Sequence, residues 1–234
     1  MKKLAIITAR GGSKRIPHKN IKDFLGKPII EYSIKTALNT GIYDEVMVST
    51  DDEKIAEIAV NAGANVPFYR SEKTANDFAA TADVILEVIE EYEKLGEKFD
   101  IITCIYPTAP LISIDRLIES MDLLMSNKYE TVMPVVQFSF PPQRSLIVKD
   151  NKLVAKHPEF MPMRSQDLEP FYHDCGQFYT FLTKEFIKQK TIIMKNTFPI
   201  ILSELEVQDI DNMEDWKIAE LKYKILRESE RGLL

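Results

Sequence analysis

A three-layer α/β fold with a mostly parallel sheet is predicted by three observations. The apolar run Leu4 to Ala9 breaks straight into a basic, glycine-containing loop, Arg10-Gly11-Gly12-Ser13-Lys14-Arg15. Short apolar segments then alternate with segments of helical period, the order that lays helices on both faces of a parallel sheet. The 234 residues, 45% of them hydrophobic, suffice for one such core, so residues 1–234 are taken as a single domain.

The first run is short and continuously apolar, as expected of a strand covered on both faces, and its loop starts at the carboxyl end, where open α/β sheets bind ligands. Gly11 and Gly12 are expected to take positive φ and bring N–H groups near an anion, while Arg10, Lys14, Arg15 and Lys19 add charge. The loop fits a polyphosphate cradle; a solvated basic turn is the plainer alternative. No G-x-x-x-x-G-K-[ST] can be read in it, which disfavours a P-loop kinase or ATPase.

Pro28 suits a first helical position, and Ile29, Ile30, Ser33, Ile34, Ala37 and Leu38 keep helical spacing up to Gly41. Glu45 to Ser49 is a second strand. Thr50-Asp51-Asp52 caps a helix over 53–61 that Gly63 ends. Val66 to Tyr69 can be only a short or edge strand because Pro67 lacks a ladder donor. It delivers Arg70 into a polar loop, Ser71 to Ala80, which either faces ligand or merely connects. A helix follows from Thr81 or Ala82 to Leu95, then a strand over 99–106 and the break Pro107-Thr108-Ala109-Pro110. Ser113 caps a helix to Ser126, and Thr131 to Val136 is a strand.

Between Gln137 and Cys175 the prolines 141, 142, 158, 162 and 170 and the lack of helical period mark an excursion from the sheet, with a hairpin around Asp150-Asn151. The chain returns to the sheet at Gln177 to Phe181. A short helix (184–190), a strand (198–202) and a terminal helix (213–227) complete it.

The net charge of −6 argues against nucleic acid or an anionic membrane as partner, so the basic loop acts as a local field for small anions. Two cysteines, Cys104 and Cys175, form no C-x-x-C, which disfavours a disulfide framework or zinc and suits a reducing cytoplasm. Met1-Lys2-Lys3 resembles a signal n-region, but Arg10 interrupts the apolar run too early. No later apolar run is long enough to span a membrane.

Asp209 and Asp211 stand two apart, so in extended backbone both carboxylates project to one side and could share Mg²⁺. The alternative is that Asp211 or Asn212 caps the last helix. A nucleoside triphosphate on the basic loop would need such a counter-charge.

Ala9 to Asn20 resembles the A-R-x-G-S-K-x-[IL]-P-x-K-N signature of the CMP-sugar synthetases, or acylneuraminate cytidylyltransferases. Ser49-Thr50-Asp51, Arg70, Pro107-Thr108-Ala109-Pro110 and Asp209-Ile210-Asp211 continue the resemblance in order over nearly the whole chain. Within the family, Tyr172 to Tyr179 and Leu205 to Asp211 are most similar to the pseudaminic acid cytidylyltransferases. The resemblance implies the nucleotide-diphosphate-sugar transferase (Rossmann-like) fold and a homodimer made through the excursion, residues 137–175. It also implies Mg²⁺-dependent transfer of CMP from CTP to the anomeric hydroxyl of a nonulosonic acid.

By motif position, Ala9, Arg10, Gly11, Gly12, Ser13, Lys14 and Lys19 would hold the triphosphate, and Asn20, Arg70 and Thr81 the cytidine. Asp209 and Asp211 would hold Mg²⁺; Lys14, Lys19 and Asp211 would be catalytic. Tyr106, Asp174, Gln177 and Tyr179 would line the sugar site, with Arg164 offering a guanidinium fork to the sugar carboxylate. Tyr106 stands where acylneuraminate enzymes carry glutamine and Cys175 where they carry asparagine, which bears on the sugar rather than on CTP. N-acetylneuraminate and legionaminate are the alternative sugars. From other classes, a kinase or phosphatase on a small ester, or a non-catalytic nucleotide sensor, would share the phosphate loop.

Overall fold

Alternate residues of the first strand, β1 (Lys3–Thr8), enter different cores: Leu4 and Ile6 one, Ala5 and Ile7 the other. That period of two requires a layer of helices on each face. The computed structural model describes residues 1–126 and 128–230. After β1 come the hairpin strands β2 (Asp23–Phe24) and β3 (Lys27–Pro28), then α1 (Ile29–Asn39), β4 (Glu45–Ser49) and α2 (Glu53–Asn61). Next are α3 (Glu72–Ala75), α4 (Thr81–Lys94), β5 (Ile101–Ile105), α5 (Ile114–Met125) and β6 (Thr131–Gln137). The chain continues through β7 (Leu146–Lys149), β8 (Lys152–Ala155), β9 (Tyr172–Asp174), β10 (Phe178–Leu182), α6 (Thr183–Gln189), β11 (Thr197–Leu202) and α7 (Met213–Glu230).

The main sheet runs β11-β6-β10-β5-β1-β4, with β9 paired to β6 outside that path. β4, β1 and β5 are mutually parallel, as are β11 and β6; β10 runs antiparallel between β5 and β6. On one face α1 contributes Ile30, Ile34 and Ala37, α2 Ile55 and Ala59, and α5 Leu117, Met121 and Leu124. On the other, α4 buries Ile85, Val88, Ile89 and Tyr92, and α6 Phe186. Each fully buried isoleucine or leucine is worth about 1.5–3 kcal/mol relative to exposure. Both cysteines are free and buried, and burial pushes each thiol up to about 12. No helix among the described residues is long and apolar enough to cross a membrane.

A third, smaller cluster matters more for the site. Ile16 from the basic loop, Phe24, Ile29, Ile210, Trp216 and Ala219 pack together, so α7 and the acidic segment before it are fastened to the loop that follows β1.

Three local expectations are modified. Val66 to Tyr69 forms no strand: among the described residues the isolated bridge there is Asn65 with Met47, Asn65 bonds Val46 and Val48, and Arg70 N next reaches the Thr50 carbonyl, leaving the proline-containing stretch between them outside the ladder. The polar loop Ser71–Ala80 holds a turn of helix, α3. The excursion is also shorter than predicted, because β9 pairs antiparallel with β6 through Val135–Asp174, Val136–His173 and Gln137–Tyr172. The hairpin at Asp150-Asn151 forms as expected: both residues have positive φ, 51° and 58°, as a two-residue turn between right-twisted strands requires.

Candidate active site

The loop after β1, the segment from Arg70 to Thr81 and the chain leaving β5 enclose a cavity of about 280 Å³. Arg10, Ser13, Lys14, Arg15, Lys19 and Asn20 line it from the loop, Arg70, Asp77 and Thr81 from the second segment, and Tyr106 from the end of β5. It lies at the carboxyl ends of parallel strands.

Neither Gly11 nor Gly12 has positive φ, contrary to expectation. Gly11 is required for closeness instead: a Cβ there would stand 2.7 Å from Asp52 Oδ2, whose carboxylate caps α2 through Lys54 N and Ile55 N. Gly11 N donates to Asp51 Oδ1 at 2.9 Å. Around Gly12 the space is open. Asn20, buried, donates to the Arg10 carbonyl at 2.8 Å and so fixes the loop's curvature.

Arg70 is 8% exposed and donates through Nε to Ser49 Oγ (3.1 Å) and through Nη2 to the Ser49 carbonyl (2.7 Å). It makes no ion pair among the described residues, and burial pulls its guanidinium pKa down. The charges of Asp51 and Glu87 oppose that burial only from a distance; a buried cation in direct contact with no carboxylate is costly unless another partner satisfies it, so its place on the cavity wall points to a ligand. Thr81 Oγ1 and Tyr106 OH are 3.1 Å apart. The Tyr106 ring meets Tyr179 edge-on at 5.6 Å, and Tyr179 OH donates to Asp174 Oδ2 at 2.6 Å. Tyr179 and Asp174 therefore support the cavity wall from behind Tyr106. Gln177 is buried and donates to the Glu206 carbonyl at 2.6 Å, which also sets it behind the wall.

Arg164 is not brought to the cavity. Its guanidinium forks onto Asp167 at 2.8 and 3.1 Å on the exposed excursion, so a neighbouring carboxylate already takes the geometry expected for a sugar.

Asp209 and Asp211 flank the fully buried Ile210 beside the basic loop. Asn212, not Asp211, caps α7: its Oδ1 accepts from Glu214 N and Asp215 N at 2.8 and 3.1 Å, while Asp215 Oδ2 accepts from Asp211 N and Asn212 N. The Asp211 carboxylate is thereby kept out of the helix and meets Arg15 Nη2 at 2.6 Å. Burial, then the charge of Asp211, raises the Asp209 pKa, with Lys19 opposing. Two carboxylates crowding each other suit a hard cation. Among the described residues no three His, Cys, Asp or Glu cluster as a metal cage. Mg²⁺ commonly takes one or two carboxylates and completes its shell with water and phosphate oxygens, so this donor set fits it.

Sequence reasoning missed Asp77. Its carboxylate accepts from Arg10 Nη1 at 2.5 Å and lies 2.5 Å from Lys14 Nζ, and hydrogen bonds from Lys14 and then Arg10 hold its pKa down. The available signal was an acid within a polar loop read as either facing ligand or merely connecting.

The cytidylyltransferase family profile matches residues 4–230. The chain is 40% identical over 230 residues to a pseudaminic acid cytidylyltransferase of Campylobacter jejuni, covering 98% of this chain and 99% of that one. It is 30% identical over 236 residues to a CMP-N,N′-diacetyllegionaminic acid synthase of Legionella pneumophila, with 98% and 99% covered. A solved CMP:2-keto-3-deoxy-manno-octonic acid synthetase complexed with CTP shares the fold at a TM-score of 0.69 and 18% identity, over 97% of this chain and 100% of that one.

Proposed function

The chain belongs to the cytidylyltransferase family, and we propose that it activates a nonulosonic acid, pseudaminic acid, by transferring CMP from CTP to the anomeric hydroxyl. Attack by that C2 hydroxyl on the α-phosphorus releases pyrophosphate. The observation that carries the reading is the meeting, at one cavity, of a basic loop and a buried arginine that makes no ion pair among the described residues. The 40% identity to a pseudaminic acid enzyme over 98% of the chain supports the sugar.

Arg10, Ser13, Lys14 and Lys19 take the triphosphate, and Asn20, Arg70 and Thr81 surround the cytidine. Lys14 and Lys19 stabilise the charge gathering on the leaving pyrophosphate, acting by position and electrostatics. Asp209 and Asp211 would hold Mg²⁺, which would supply counter-charge to the triphosphate. Asp211 also holds the water that accepts the hydroxyl proton. Tyr106, braced by Tyr179 and Asp174, forms the wall against the sugar. The protein acts as a homodimer through the excursion, whose Phe140, Val148 and Leu153 are exposed. Its free, buried thiols suit the cytoplasm.

Incubation with CTP, Mg²⁺ and a panel of nonulosonates, with products identified by mass spectrometry, tests the proposal. The expected products are CMP-pseudaminic acid and an equal amount of pyrophosphate. A kinase or phosphatase would give no stoichiometric pyrophosphate, and a nucleotide sensor would return CTP unchanged. The 30% identity to a legionaminic acid enzyme makes CMP-legionaminate the second reading, which the same panel resolves.

A further inference from the structure

We propose that Asp77 is a built-in competitor for the triphosphate seat, its carboxylate occupying the anion position on Arg10 and Lys14 until a polyphosphate displaces it. The identity of that polyphosphate rests on the cytidylyltransferase reading; the displacement does not. One Asp77 oxygen takes Arg10 Nη1 and the other Lys14 Nζ, both at 2.5 Å, so two oxygens of one planar anion span a guanidinium and an ammonium much as a phosphate edge would. Both cations line the cavity. A phosphate arriving with Asp77 in place would meet a like charge and find these donors taken.

The segment that carries Asp77 is held at its ends. Upstream, Glu87 accepts from Ser71 N at 2.6 Å, from Ser71 Oγ at 3.0 Å and from Thr74 Oγ1. Downstream, Ala80 N donates to Asp83 Oδ2 at 3.1 Å. Between these anchors Asn76 Oδ1 closes a tight local turn onto Phe78 N and Ala79 N, and the Phe78 side chain is 96% exposed. The tip is thus self-contained, and its polar contacts with the basic loop among the described residues are those of Asp77. It can lift without disturbing either anchor. The reaction leaves pyrophosphate, another polyanion, and the return of Asp77 to Arg10 and Lys14 competes it off.

Calorimetric titration of the full chain with inorganic tripolyphosphate, in chelator, tests this on the wild type and Asp77→Asn, with cytidine as control. Asp77→Asn keeps the shape and removes the charge. The expected result is roughly tenfold tighter tripolyphosphate binding with cytidine binding unchanged, since two partly exposed ion pairs no longer compete. Pyrophosphate should also become a roughly tenfold stronger product inhibitor of the variant. Unchanged or weaker tripolyphosphate binding would overturn the proposal, because Asp77 would then be a bystander or a brace for Arg10 and Lys14. A Phe78→Trp reporter in the wild-type background gives an independent readout: its emission should change with the same midpoint as the calorimetry, and a silent reporter at saturation counts against tip movement. Tripolyphosphate carries no base, so a failure of the CTP reading appears separately, as CTP binding no tighter than tripolyphosphate.

Discussion

Lys19 Nζ donates a 2.7 Å hydrogen bond to the carbonyl of Ile210, the residue between Asp209 and Asp211 and 191 positions along the chain. One ammonium thereby ties the basic loop to the acidic segment. Burial lowers its pKa while the charges of Asp209 and Asp211 raise it. The lysine is half-buried rather than free in a solvated loop, so it carries both charge and structure. Lys19→Ala should cost about 1.5–3 kcal/mol of stability, as expected for a charged hydrogen bond. In the same variant kcat/KM for CTP should fall about 10²-fold, because one electrostatic contact to a transition state is commonly worth about 3 kcal/mol. Thermal melts and pyrophosphate-release kinetics separate the two, and an activity loss no larger than the unfolded fraction would remove the catalytic role.

Adjacent residues should split stability from catalysis. Asn212 caps α7, whereas Asp211 faces Arg15. Asn212→Ala should therefore lose about 1 kcal/mol, the usual worth of a cap, with kcat nearly intact. Asp211→Ala should leave the melting temperature close to wild type and lower kcat by roughly 10² or more. Chelator should abolish turnover of the wild type. Full activity of Asp211→Ala in Mg²⁺ would end the metal assignment.

Most of the sheet was legible because its central strands are largely apolar runs closed by turn residues, as with Leu4 to Ile7 and, interrupted only by Thr103, Ile101 to Ile105. The basic loop was legible from its charge. What escaped was whatever depends on contacts distant in sequence. That Gly11 is needed for Asp52, which lies 41 residues away, leaves no local trace; glycine at that position suggested positive φ instead. Val66 to Tyr69 has strand-like residues, yet Pro67 offers no ladder donor and the bonds to the edge of β4 fall on Asn65 and Arg70 at either side of it. Tyr172 to Asp174 is exposed and only three residues long, too short for a period, and becomes a strand because β6 extends far enough to pair with it. Asp77 sits 67 residues from Arg10, so only the fold could make them partners.

The excursion should make a dimer. Val148 is 76% exposed, Leu153 67% and Phe140 87%, an apolar load that a monomer rarely leaves in water. Sedimentation at micromolar concentration should give a dimer, and Val148→Asp with Leu153→Asp should shift it to monomer while the circular dichroism of the main sheet and helices persists. A wild-type monomer at that concentration would count against the assembly.

The choice of sugar is predicted to turn on Tyr106. Its hydroxyl meets Thr81 and its ring leans on Tyr179, which is in turn held by Asp174, so the aromatic wall is braced from two sides. Burial raises the Tyr106 pKa, which keeps the phenol neutral and the wall uncharged. Phe178, which in sequence stands beside this wall, is fully buried in the core and cannot touch a sugar directly. Sialic acid carries a hydroxylated glycerol tail, whereas pseudaminic acid ends in a methyl group and bears two acylamino groups. An aromatic wall therefore favours the second, and leaves hydroxyls of the first without partners. Apolar contacts alone discriminate by about 10 to 200-fold, so kcat/KM for pseudaminic acid should exceed that for N-acetylneuraminic acid at least roughly tenfold. Tyr106→Gln should narrow the gap by restoring an amide, while Tyr106→Phe, which keeps the ring and loses the hydroxyl's interactions with Thr81 and Tyr179, should preserve it. Steady-state kinetics on both sugars decides the matter: equal use by the wild type would refute the sugar assignment and leave CMP transfer standing.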